Sequence, residues 1–359
     1  MTRLFAREGP WLFSRAIDLG AFGGSALAAW LLVLLGWPLG LLDADAPTWT
    51  FFGCVIAVDV AHVWSMGFRS YFDGEELRAR PLLYLGVPLA AYLIGVGLHA
   101  FGSRVFWGAL AYLAVFHFVR QQAGFLRLYA RRNPAQTRLD TLLEQAAMYA
   151  SMLVPLIAWH ARLPRAFAWL IEGDFVSVEA VGVAAARIFP LAAWANAACL
   201  LGFTLRQAYL LHRGAWVPGK SVLMTATASC WWLGIVVFDS DYVFTVTNVL
   251  IHGVPYFVLT QRYARARGAG WAGRVALRGL VPVLLICLTL AVAEEALWDR
   301  WVWHERPEYF GEVFPLSPVL MTFLVPLLAL PQASHYVLDG FLWRVRRENL
   351  VLRRELESG

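Results

Sequence analysis

Pro81-Leu-Leu-Tyr-Leu-Gly-Val-Pro-Leu-Ala-Ala-Tyr-Leu-Ile-Gly-Val-Gly-Leu-His-Ala-Phe101 contains no Asp, Glu, Lys or Arg. A helix rises about 1.5 Å per residue, so about 20 apolar residues cross a hydrocarbon core about 30 Å thick. This stretch is long enough to do so, and it is not alone. Ten such segments follow one another with short connections: Gly20–Leu42, Thr48–Phe68, Pro81–Phe101, Arg104–Leu126, Asp140–His160, Val183–Leu211, Ser221–Asp239, Tyr242–Thr260, Val275–Ala296 and Phe314–Leu338. The expected fold is an all-α, polytopic membrane bundle of about ten transmembrane helices, one transmembrane domain over residues 1–359.

Composition points the same way. Of 359 residues, 59% are hydrophobic and 15% charged, against roughly 25% charged in a soluble domain. The four cysteines, Cys54, Cys199, Cys230 and Cys287, all fall in apolar stretches and form no CxxC pair. They read as small buried hydrophobes, which excludes a disulfide or zinc-finger framework. The first apolar run follows Arg3, Arg7 and Arg15 without a clear cleavage site and reads as a retained helix. No nucleic-acid partner is expected.

Charge gives an independent test of the span count, because Lys and Arg gather on cytoplasmic loops. With the amino terminus inside and each segment crossing once, 23 of the 30 basic residues fall on inner loops and inner helix ends. Arg104, Arg162, Arg165, Arg187, Arg300 and Arg306 fall outside, and Arg120 lies within a span. Acids collect on the outer side: Asp43, Asp45, Asp239, Asp241 and the stretch from Glu294 to Glu312. The expectation is a multi-pass protein of the cell (inner or plasma) membrane with both termini cytoplasmic. It ends in a short basic tail, 344–359, carrying Arg344, Arg346, Arg347, Arg353 and Arg354. The last segment should bend at Pro326 and Pro331, since proline removes a backbone donor and clashes one turn back.

Ionisable residues within the bilayer are costly and mark function. Of eight histidines, His99, His160, His212 and His304 reach loops or helix ends. The other four lie inside segments that all run from outside to inside. Each precedes an inner-boundary arginine by a similar interval: His62 and Arg69 by 7 residues, His117 and Arg127 by 10, His252 and Arg262 by 10, His335 and Arg344 by 9. At about 1.5 Å per residue, they share one depth within roughly 5 Å. One imidazole from each of four helices at one level predicts a common metal site of His62, His117, His252 and His335.

Each histidine has a polar neighbour about one turn away. Asp59 precedes His62; Arg120 and Gln121 follow His117; Asn248 precedes His252; Gln332 precedes and Asp339 follows His335. Asp59, Gln121, Tyr256 and Asp339 are the candidate catalytic groups, with Asn248, Arg120, Gln332 and Tyr336 supporting the ligands. Tyr71 lies near the same level. Alternatively, Asp59 pairs with Arg120.

Imidazole and carboxylate ligands suit iron, copper, zinc or manganese. A buried site is reached most readily by a membrane lipid or other lipophilic small molecule. The chemistry that fits is oxygen-dependent hydroxylation, desaturation or cleavage at non-haem iron, supplied by a redox partner. A multi-pass transporter with a polar midplane site and a haem-binding electron carrier are the alternatives. In length, and in spreading single histidines over several spans, the chain resembles the carotene-cleaving membrane oxygenases of bacteria. Phe116-His117-Phe118 is similar to one of their motifs, although Val119-Arg120-Gln121 follows here in place of a Gly and an Asp.

Overall fold

The computed structural model describes residues 9–43, 45–133, 135–268 and 270–343. Over these residues the secondary structure is helical, with no strand. Among the described residues, nine helices are long and apolar enough to cross a membrane. They are α1 (Arg15–Gly36), α2 (Thr48–Arg69), α3 (Pro81–Phe101), α5 (Arg138–Ala161), α6 (Glu179–His212), α7 (Pro218–Val237), α8 (Asp241–Arg267), α9 (Leu280–Trp303) and α10 (Pro318–Leu342). The tenth expected segment is helix α4 (Ser103–Arg132). At about 45 Å it is long enough, but Arg104, Arg120, Gln121 and Gln122 dilute its apolar character. The basic tail expected over 344–359 lies outside the described residues.

Local chemistry sets the helix ends. Thr137 and Asp140 form a reciprocal capping box at the start of α5, satisfying two orphan N–H groups. Ser240 caps α8 by accepting from the Val243 N–H, which explains why the Asp239-Ser240-Asp241 junction turns so sharply. α10 is broken at Ala329, as Pro326 and Pro331 lead one to expect, into Pro318–Leu328 and Leu330–Leu342. Wide π-helical turns interrupt α1, α2, α7, α8 and α9. They add residues per turn and so shift which side chains share a face.

The chain forms two compact units, whose boundaries fall inside α2, α4 and α8. The first comprises residues 55–117 and 256–343. Met66, Tyr84, Tyr256, Leu338 and Leu342 form a buried cluster there. Beside it lies Arg69, wholly buried, with Nη1 3.2 Å from Glu76 and its guanidinium 4.0 Å above the Tyr263 ring. Arg80 and the Tyr84 hydroxyl also bond Glu76.

The second unit comprises residues 9–54 and 118–255. Here α5 and α6 pack along their length and α7 packs on α5. The buried Lys220, the only lysine of the chain, donates to Glu144 at 2.7 Å and Gln136 at 2.5 Å. Asp18 accepts from the Leu12 and Phe13 N–H groups and from the Tyr129 hydroxyl.

Large apolar side chains face outward from these interiors. Leu82 on α3, and Leu191 and Trp194 on α6, are 89%, 75% and 77% exposed. Apolar surface on this scale is unfavourable in water and favourable in lipid.

Removing one partner of a buried ion pair costs about 3–5 kcal/mol, whereas an apolar pair of similar volume is close to neutral. Glu144→Ala should therefore lower the melting temperature in detergent markedly, and Glu144→Leu with Lys220→Met should recover most of the loss. A single variant as stable as wild type would remove the pair from the account of the fold.

Candidate metal centre

In the first unit α2, α4 and α10 bring three histidines together. The His335 ring centroid lies 4.4 Å from that of His117 and 5.0 Å from that of His62. All three are buried, at 2% exposure or less. The break in α10 at Ala329 precedes His335 by six residues.

Two carboxylates flank the rings. Asp59 Oδ1 is 3.7 Å from His62 Nδ1. Asp339 presents Oδ2 to His117 Nδ1 and Oδ1 to His335 Nδ1, each at 3.9 Å. These distances exceed hydrogen-bond length but bring a carboxyl group to one edge of each ring. Asp339 is itself held: the Tyr256 hydroxyl donates to Oδ1 at 2.5 Å and the Trp343 indole donates to the same oxygen at 3.2 Å. The Tyr256 ring packs edge-on, 5.0 Å from His335 and 5.7 Å from His62. Tyr336 lies 4.9 Å from His117.

His252 precedes Tyr256 by one turn on the unbroken helix Leu250–Arg267. One ligand atom from each of His62, His117, His252 and His335 lies within 4.8 Å of the others, and all four residues are buried. These are the four histidines singled out from the sequence.

A metal ion fits this group. Neither ring nitrogen of His335 has a hydrogen-bond partner, and an unpartnered buried polar atom costs about 1–3 kcal/mol. A metal ion would take the lone pair of whichever nitrogen is unprotonated. Nitrogens about 2.0–2.1 Å from a first-row ion stand about 3.3 Å apart in a tetrahedron and about 4.1 Å apart across an octahedron. Imidazole suits several transition metals, and carboxylates near Nδ1 orient the ring and raise its basicity.

The other expected residues occupy varied places. Gln121 Nε2 donates to the His252 carbonyl at 2.8 Å, and its neighbour Gln122 donates to the Ile251 carbonyl at 3.1 Å. Within the second unit, both amides brace the backbone that carries His252. Asn248 falls on a π-helical stretch, Thr245–Val249. Its amide bonds Thr247 and the Phe244 carbonyl beside Gly234, where a Cβ would collide with it. Arg120 is exposed and donates to the Tyr149 hydroxyl at 2.8 Å. Gln332 is half-buried. The Tyr71 hydroxyl donates to the Tyr84 carbonyl.

Trp343 is absent from the sequence-derived set. Its four-residue spacing from Asp339 was the signal that could have placed it there. No protein-family model, curated protein or solved structure matches the chain.

Outer partners of metal-binding histidines are worth roughly 10–100-fold in metal affinity. Asp339→Ala should weaken binding of added Co²⁺ or Zn²⁺ by about that factor in a detergent-phase titration. Unchanged affinity would separate Asp339 from the histidine group.

Proposed function

We propose that this chain is an integral membrane metalloenzyme in which His62, His117, His252 and His335 hold a non-haem iron ion. It would act on a lipophilic substrate as an oxygen-dependent hydroxylase, desaturase or related oxygenase. The observation that carries the reading is the buried four-histidine group, with both nitrogens of His335 unpartnered. When bound, the iron would supply redox chemistry toward oxygen, and a redox partner would supply electrons. The chain's own residues have separate tasks. Asp59 and Asp339 offset the ion's charge and steer the Nδ1 edges of the imidazoles. Tyr256 and Trp343 hold Asp339 in place, and Gln121 braces the helix that carries His252. The apolar exterior implies that substrate arrives through lipid.

In this reading the protein sits in the cell (inner or plasma) membrane and crosses it ten times, α4 included, with both termini cytoplasmic. The support is the distribution of arginine, which crowds the inner loops. A haem reading is less well supported. Ring centroids 4.4 and 5.0 Å from His335 leave no slot for a macrocycle between these imidazoles. One observation favours transport as a second reading: α10 is broken at Ala329, close to the polar site, and transporters often build midplane sites on broken helices.

Metal analysis separates the readings. Chain purified in detergent from iron-supplemented cells should carry stoichiometric iron without a Soret band, and His335→Ala should lose it while keeping the wild-type elution volume. Well-folded chain without metal would transfer the case to transport.

Sidedness is tested independently. In intact cells, Ser177→Cys should react with a membrane-impermeant maleimide and Arg213→Cys should react only after lysis. The reverse labelling would invert the topology.

A further inference from the structure

The second unit contains a cluster of aromatic rings that the metal centre does not use. Trp169 is central to it, with centroids 4.8 Å from Phe244, 5.3 Å from Phe175, 5.9 Å from Trp159 and 6.0 Å from Phe118. Trp231 adjoins both Trp169 and Phe118. At its other side the cluster meets His252, whose ring lies 3.9 Å from that of Phe118. The segment between α5 and α6 that delivers Trp169 and Phe175 is firmly held. Asp174 accepts from the Trp169 and Leu170 N–H groups, and Arg165 binds Asp239 and the carbonyls of Ile235 and Phe238.

Within this cluster the indole nitrogens of Trp159 and Trp169 are both buried without a hydrogen-bond partner. Trp159 is 1% exposed. A buried indole N–H normally finds an acceptor, and lipid supplies none. Two buried indole donors in one ring cluster set the chemistry of a group that would pair with them. It accepts and does not donate. Water fits poorly, because it brings two protons that need acceptors of their own. An alcohol brings one. A carboxylate would need a cation, and Arg165, with its guanidinium 4.9 Å above the Trp159 ring, is committed to Asp239 and two carbonyls. A neutral carbonyl has two lone pairs, no proton and no charge.

We propose that this cluster is the binding site for a lipophilic molecule bearing a neutral carbonyl group, whose oxygen accepts from the Trp159 and Trp169 indoles. Its apolar body lies against the aromatic faces and runs past Phe118 toward His252. Identifying this ligand with the substrate rests on the metalloenzyme reading; the binding itself does not.

The test uses full-length, metal-free chain in lipid nanodiscs with ¹⁵N-labelled tryptophan, and compares octadecan-2-one with octadecane. Two indole N–H resonances should move with the ketone and stay still with the hydrocarbon. Trp159→Phe and Trp169→Phe assign them, and each should weaken ketone binding about fivefold, the worth of one hydrogen bond, without changing hydrocarbon partitioning. Indoles that ignore the ketone, or that answer both probes equally, overturn the proposal; the wild-type spectra decide this even if a variant misfolds. Iron content is measured separately. Ketone binding without iron in iron-grown protein would sink the enzyme reading alone, and iron without ketone binding would sink this site alone.

Discussion

An imidazole sealed in an apolar interior with neither nitrogen hydrogen-bonded is an expensive object, and His335 is one. Everything around it follows from that constraint. His62 and His117 crowd its ring edges rather than offering it a hydrogen bond. Asp339 approaches His117 and His335 at ion-pair distance and is itself anchored by the Tyr256 hydroxyl and the Trp343 indole. That anchoring matters because a carboxylate in such surroundings needs donors of its own. The arrangement sets imidazole nitrogens and two carboxyl groups side by side, a donor set that could take a metal ion.

The same logic governs the rest of the interior. Each unit holds a buried cation with a carboxylate beside it: Arg69 with Glu76 in the first, Lys220 with Glu144 in the second. Each pair is reinforced by a further hydrogen bond to the carboxylate, from Tyr84 in the first and from Gln136 in the second. Such pairs lie close to helix ends, where the spans give way to arginine-rich connections. The exterior shows the converse pattern, with leucine and tryptophan turned outward along α3 and α6. Polar groups inside and apolar groups outside are what a protein needs when its solvent is hydrocarbon.

Much of this could be read in one dimension. Hydropathy is a local, additive property, so runs such as Pro81–Phe101 declare their helices without reference to any partner. The prolines of α10 declared its break for an equally local reason, the lost N–H and the clash with the preceding turn. Rise per residue is constant along a helix, so the intervals from His62, His117, His252 and His335 to their boundary arginines mark these four rings as one set. The segment Arg104–Leu126 tested the limits of this approach. It forms a 30-residue helix, but its polar residues leave it less apolar than the other nine.

Rotation about the helix axis is a different matter. It depends on packing and on local changes in residues per turn, and neither appears in hydropathy. Asn248 stands one nominal turn from His252, but a π-helical stretch and the gap at Gly234 turn its amide toward Thr247 and Phe244. Gln121 stands one turn from His117 and braces the backbone of His252 instead. Trp343, by contrast, reaches Asp339 from four residues along the same helix end, a contact local enough to be read from spacing. The amino-acid sequence by itself determined which segments are apolar helices, since composition is a property of each segment alone. Only the tertiary structure decided which way each polar side chain points and what it touches, since those are set by neighbours far away in the chain.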